Sequence, residues 1–193
     1  MRQLIYGAVV LLCVLPLGML VWKGLHGGLG ANPIEKSIRN LGVDGLRLLL
    51  VGLALTPLAR LLRNPWIIRL RRPVGLFAFG YLSLHLLVWI GVDHYFNWNE
   101  IVAAIIKKPF ITLGMAGFLL LIPLAFTSFR AAIQTLGPKR WQQLHRLVYV
   151  AVPLGIVHYY LLVKADHRPP LIYAAILVAL LGWRMVNRFK AAG

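Results

Sequence analysis

Long apolar runs, separated by short segments rich in cations and turn residues, recur six times along this chain. Read with a window of about 19 residues, they predict membrane-spanning helices over Leu4–Trp22, Leu41–Ala59, Pro73–Val92, Pro109–Ser128, Leu144–Val163 and Leu171–Val186. At about 1.5 Å per residue each suffices for about 30 Å of hydrocarbon, the last only barely. The expected fold class is therefore an all-α membrane protein, a six-transmembrane-helix bundle whose termini share one side. The connections leave no room for a soluble domain, so residues 1–193 read as one transmembrane domain.

Punctuation along the chain fits this division. Pro73 and Pro109 suit the first turns of the third and fourth helices. Thr56-Pro57 ends or bends the second, and Pro123 and Pro153 bend the spans that contain them, which membrane helices tolerate. Gly137-Pro138 marks a turn in the loop Arg130–Gln143. The glycines of His26–Pro33 look like a dinucleotide fingerprint only superficially, because no strand precedes them. Asn32 or Ser37 is placed to start a short interfacial helix. No internal repeat is apparent.

Composition sharpens the class: 60% of residues are hydrophobic and the mean hydropathy is +0.75. The net charge of +16 would suit nucleic acid, but its distribution argues against that partner. Six spans put Arg2, Arg60, Arg63, Arg69, Arg71, Arg72, Arg130, Lys139, Arg140, Arg146, Arg184, Arg188 and Lys190 on one side, with no acid. The other side holds eight basic residues and all five acids: Glu35, Asp44, Asp93, Glu100 and Asp166. The basic excess favours the first side, with both termini, as cytoplasmic. That face also suits anionic lipid headgroups. Cys13 is the only cysteine, so an intrachain disulfide and a cysteine-ligated metal are excluded. The first apolar run is too long for a signal peptide and Trp22-Lys23-Gly24 offers no cleavage site, so it reads as a retained helix.

Against this background three histidines stand out. His85, His145 and His158 lie in or at the ends of apolar spans, where a titratable ring is costly. Neutral imidazole is a good axial ligand for haem iron. His85 lies about 18 Å along the third helix, and His158 lies at similar depth in the fifth, so the pair could grip one porphyrin. Two imidazoles leave no open iron position, which suits electron transfer. His145 lies at the start of the fifth span, about 140° from His158 around a straight helix. It could ligate a second haem, contact a flavin or quinone, or cap a helix beside Arg146. Arg71, Arg72, Arg140 and Trp141 gather near His145 and suit the phosphate and ring of FMN, or equally lipid headgroups and an interface anchor. His26, His94 and His167 fall in loops on the acid-bearing side and read as solvated or interfacial.

Several segments resemble the MsrQ family, haem-binding membrane subunits of a bacterial system that repairs oxidised periplasmic proteins. They are HGGLGANP at His26–Pro33, LTPLAR at Leu55–Arg60, RRPVGLFAFGYLSLH at Arg71–His85 and LGPKRWQQLHRLVYV at Leu136–Val150. Leu113–Ser128, His158-Tyr159 and Leu171-Ile172-Tyr173 extend the likeness over nearly the whole chain. The family is a short member of the ferric-reductase-like transmembrane group. The resemblance implies haem b, with His85, His145 and His158 as the functional histidines, and an accompanying FMN. It implies a place in the bacterial inner membrane. Electrons would come from the quinone pool or a cytosolic flavin reductase and reach a periplasmic molybdopterin partner, MsrP, which reduces methionine sulfoxide. The larger oxidases of the group carry a cytoplasmic nicotinamide and flavin domain and a fourth haem histidine; this chain has neither, which favours one haem and an external donor. A stand-alone metalloreductase and a haem-free proton-coupled transporter are the rival readings, although no acid lies deep in any span.

Overall fold

The computed structural model describes residues 2–189. Lys190, counted on the basic face, lies outside the described residues, as does the side chain of Arg188. Eight α-helices follow in order: α1 (Arg2–Leu25), α2 (Pro33–Leu61), α3 (Arg71–Leu87), α4 (Trp98–Lys107), α5 (Pro109–Phe126), α6 (Arg130–His145), α7 (Val148–Leu162) and α8 (Arg168–Phe189). A 3₁₀ turn (Pro65–Leu70) leads into α3, and a π-helical turn (Val88–Asp93) continues it.

Among the described residues, five helical segments are long and apolar enough to cross a membrane: Arg2–Leu25, Pro33–Leu61, Pro65–Asp93, Pro109–Phe126 and Arg168–Asn187. The expected span over Leu144–Val163 is not among them: that segment carries the shorter α7, with 15 residues. Its start is displaced because the amides of Arg146 and Leu147 bond three residues back, to Gln143 and Leu144, which tightens the chain into a turn. His145 therefore closes α6 and does not belong to α7. The expected interfacial helix after Asn32 is no separate element. The Asn32 side chain accepts from the Glu35 amide, Pro33 occupies the first turn, and α2 then runs unbroken for 29 residues. Two helices lie where loops were expected. α4 is amphipathic and buries Ile101 and Ala104 while exposing Val102 and Ile106. α6 is mostly polar and broken at Gly137, whose φ of 74° lies in the left-handed region.

The core joins α2, α3, α5, α7 and α8 through Leu46, Leu49, Leu50, Leu53, Ala78, Leu121, Leu124, Ala151, Val152, Ile156 and Leu177. The closest pairings are α2 with α3 and α5 with α7. α1 is peripheral: Cys13 is its one buried residue.

In hydrocarbon every backbone group needs a partner, and the prolines in the spans make this acute. Pro57 has no N–H to give the carbonyl of Leu53, four residues earlier. Arg184 of α8 supplies the missing donor: its guanidinium bonds the Leu53 carbonyl at 3.2 Å and the Thr56 hydroxyl at 3.1 Å, tying α8 to α2. A second insertion lies beside Pro16 in α1. The Tyr81 hydroxyl of α3 accepts from the Leu17 amide at 2.9 Å and donates to the Cys13 carbonyl at 2.8 Å. It thus bridges the amide and carbonyl that the helical ladder pairs, and a side chain inserted there bends helices.

Candidate functional site

The rings of His85 and His158 lie 6.3 Å apart, centre to centre, with their planes at 84°. Each is held by the same device. The Nδ1 of His85 meets the carbonyl of Ile38 on α2 at 2.8 Å, and the Nδ1 of His158 meets the carbonyl of Phe110 on α5 at 2.6 Å. A carbonyl can only accept, so Nδ1 carries the proton in both rings. In the neutral imidazole this leaves the Nε2 lone pair free, the form a metal ligand requires.

Glycines make the approach feasible. A Cβ on Gly42 would stand 3.0 Å from the His85 Nδ1, and one on Gly114 would stand 2.7 Å from the His158 Nδ1. Gly42 follows Ile38 by one helical turn, and Gly114 follows Phe110 likewise, so each imidazole lies over a bare stretch of helix and reaches the carbonyl beneath it. The two sites match further. Gly45 lies against the Ala78 carbonyl and Gly117 against the Ala151 carbonyl. Gly-x-x-Gly (42–45, 114–117) thus faces a helix whose alanine precedes its histidine by seven residues (Ala78 to His85, Ala151 to His158). The structure contains two like hairpins, α2–α3 and α5–α7, where no repeat was expected from sequence. Ile38, Gly42, Phe110 and Gly114 were not among the expected site residues. The spacing shared by the two glycine pairs and the two Ala–His pairs is the signal that could have found them.

The donor set fits a porphyrin better than a bare ion. Among the described residues no group of three or more His, Cys, Asp or Glu side chains converges on one point. Two imidazoles alone do not close a metal site, whereas a macrocycle brings its own equatorial nitrogens. With metal–nitrogen bonds of about 2 Å and ring centres about 1.1 Å behind each Nε2, two axial imidazoles have centres about 6.2 Å apart. The separation observed here is of that size.

His145 lies at the other, arginine-rich end. Its ring stacks on Trp141 at 3.9 Å and 29°. Both are fastened to Thr127 at the end of α5. The Trp141 indole donates to the Thr127 carbonyl at 2.8 Å, and the His145 Nε2 lies 3.1 Å from the Thr127 hydroxyl. That hydroxyl gives its one proton to the Pro123 carbonyl at 2.6 Å. Nε2 is therefore the donor in the pair, and the free lone pair of His145 is on Nδ1. Burial, and then the nearby charge of Arg71, hold the His145 pKa below the ordinary histidine value. The remaining expected contacts disperse. The Arg72 guanidinium lies 5.9 Å over Phe129, and Arg140 is exposed. Arg184 and Arg60, absent from the expected set, crowd this end as well: Arg184 lies over Tyr149 at 5.1 Å and Arg60 over Trp183 at 5.5 Å. His26 stacks on Trp22 and His94 pairs with Asp93 at 3.2 Å. His167 is partly buried beside Tyr160.

A hydrophobic helical bundle with paired imidazoles on separate hairpins has a counterpart among known families. The model of the ferric reductase like transmembrane component matches residues 41–156, which include His85 and His145 and stop just short of His158. The chain is thus a multi-pass membrane protein of the ferric-reductase-like class. Over 182 residues it is 60% identical to the protein-methionine-sulfoxide reductase heme-binding subunit MsrQ of Caulobacter vibrioides, covering 94% of this chain and 87% of that one. The subunit of the same name from Rhodospirillum rubrum is 53% identical, with 93% and 86% covered. That from Azospira oryzae is 46% identical over 195 residues, with 100% and 84% covered. The chain belongs to the MsrQ family.

Proposed function

We propose that this chain is the haem-binding membrane subunit of a protein-methionine-sulfoxide reductase system, carrying electrons across the bacterial inner membrane. The relatives' names support the general role. The observation that carries it to particular residues is the 6.3 Å separation of two carbonyl-anchored imidazoles. His85 and His158 would hold haem b through their free Nε2 atoms. When bound, haem supplies a reversible one-electron iron couple. The protein's part is placement. The Ile38 and Phe110 carbonyls fix the ligand tautomers and raise their basicity. The apolar packing of α2, α3, α5 and α7 leaves both rings part-buried.

The chain crosses the membrane six times, with α7, prolonged by the turn after α6, as the fifth crossing and both termini cytoplasmic. The acid-free basic face supports this orientation. Lipid headgroups meet that face. Trp141, His145 and Arg71 form the inner contact for FMN or a quinone, with Arg72 and Arg140 at its rim. The bond from the His145 Nε2 to Thr127 favours this role over ligation of a second haem. Electrons enter from the quinone pool or a cytosolic flavin reductase and leave to the periplasmic molybdopterin subunit MsrP, where sulfoxide reduction takes place.

The test is a redox-titrated optical spectrum of the purified protein with pyridine-haem and flavin quantification. One b-type haem per chain is expected. His85→Ala and His158→Ala are expected to lose the low-spin bis-imidazole spectrum while the protein stays inserted. An unchanged low-spin spectrum in either variant refutes the ligand assignment.

A further inference from the structure

We propose that Gly42 and Gly114 are positioning residues for the two iron ligands, each leaving bare the helix surface on which an imidazole must lie to donate its Nδ1 proton to the carbonyl one turn earlier. The inference rests on His85 and His158 being the ligands. It concerns what sets their geometry and electron-donating strength.

Ordinary contact between heavy atoms is about 3.5 Å. The hypothetical Cβ positions lie at 3.0 Å from the His85 Nδ1 and 2.7 Å from the His158 Nδ1. An alanine would therefore push the ring back by about 0.5 Å at Gly42 and about 0.8 Å at Gly114. The hydrogen bonds now at 2.8 and 2.6 Å would both lengthen beyond the usual outer limit of about 3.2 Å. Neither obstacle is a flexible chain end: each ring is fixed through its own Cβ and faces a helix backbone. Within each helix the same carbonyl already accepts from the glycine amide, so the imidazole uses its second lone pair. A shared carbonyl of this kind is open only above a residue without a side chain. That the device occurs twice, on α2 for α3 and on α5 for α7, argues against accidental packing.

The chemical consequence follows from the hydrogen bond. An Nδ1–H given to a carbonyl makes the imidazole a stronger donor and favours ferric iron. Losing the bond weakens that preference and raises the midpoint potential.

The experiment compares Gly42→Ala, Gly114→Ala and Gly80→Ala in the full-length protein with haem bound. Gly80 lies on α3 with open space around it and serves as the control. The readouts are the midpoint potential and the ferric electron paramagnetic resonance spectrum. The expected result is a roughly tenfold loss of ferric preference, about 59 mV upward for one electron, larger at Gly114 than at Gly42, with Gly80→Ala like the wild type. Wild-type potentials and spectra in both alanine variants overturn the proposal, as does an equal shift in Gly80→Ala. Should an alanine variant fail to accumulate, His85→Ala reconstituted with haem is titrated with imidazole and with 1-methylimidazole, which lacks the second N–H. About tenfold tighter binding of imidazole is expected, the worth of one hydrogen bond; equal binding overturns the proposal. If the histidine variants themselves keep the wild-type low-spin spectrum, the ligand reading has failed. If they lose it while the glycine variants behave as wild type, only the positioning role has.

Discussion

Replacing Tyr81 with phenylalanine removes one oxygen atom from the interface of α1 with α3, and its cost can be worked from the geometry. The hydroxyl makes two bonds, to the Leu17 amide at 2.9 Å and the Cys13 carbonyl at 2.8 Å. Polar pairs between membrane helices average about 0.6 kcal/mol and reach about 1.7 kcal/mol. Loss of both bonds would cost about 1–3 kcal/mol, but the freed amide and carbonyl are partners in the ordinary helical ladder. If α1 straightens enough to join them directly, one bond is regained and the net loss is about 1 kcal/mol. Because α1 buries only Cys13, this falls mainly on its docking. A loss of that size raises the population with α1 released about fivefold. Cys13 reports on it directly: it is the only thiol and is 4% exposed. In detergent micelles, Tyr81→Phe is expected to react with a thiol-specific fluorophore about five times faster than the wild type. Tyr6→Phe, at an exposed position on the same helix, should leave the rate unchanged. Equal rates for Tyr81→Phe and wild type would refute the claim that the inserted hydroxyl holds α1.

Other outcomes follow from the same structure. Ring planes at 84° predict a highly anisotropic low-spin ferric signal in electron paramagnetic resonance; a rhombic spectrum typical of near-parallel imidazoles would contradict the geometry. Arg184→Leu strips the Leu53 carbonyl of its donor and should cost about 1–3 kcal/mol in denaturant unfolding, with Arg184→Lys in between. The His145 pKa is held down in the fold, so the folded protein binds fewer protons than the unfolded chain just below the ordinary histidine pKa. Its stability contribution is complete above about pH 6.5 and declines as the pH falls. His145→Asn should flatten the acid side of the melting-temperature profile; an unchanged profile would show that this ring does not couple folding to protons.

The spans were legible because crossing hydrocarbon demands long apolar runs, and such runs survive in any reading frame of the fold. α4 and α6 carried no such mark: helices at the bundle's ends need only one greasy face, or none, and look like loops by hydropathy. Leu144–Val163 is apolar apart from His145, Arg146 and His158, and the turn at Arg146 and Leu147 near its start is made by backbone bonds to Gln143 and Leu144. His85 and His158 were conspicuous because imidazole is expensive in lipid. Gly42 and Gly114 were not, since glycine is common in membrane helices and its meaning here depends on what the neighbouring helix places against it. Thr127 escaped notice for a similar reason. Its role as the anchor of Trp141 and His145 exists only once α5 and α6 meet.

The division into two like hairpins has a bearing on biogenesis. The first pair, ending at Asp93, leaves the ribosome well before α7, which ends at Leu162. At about 5–20 residues per second the interval amounts to several seconds. Throughout it His85 already has its seat on Gly42, with one nitrogen tied down and the other turned toward a companion not yet synthesised. If His85 and His158 hold haem as proposed, its stable capture would wait for the second hairpin to enter the bilayer, and a nascent chain halted between the two should be unable to retain it.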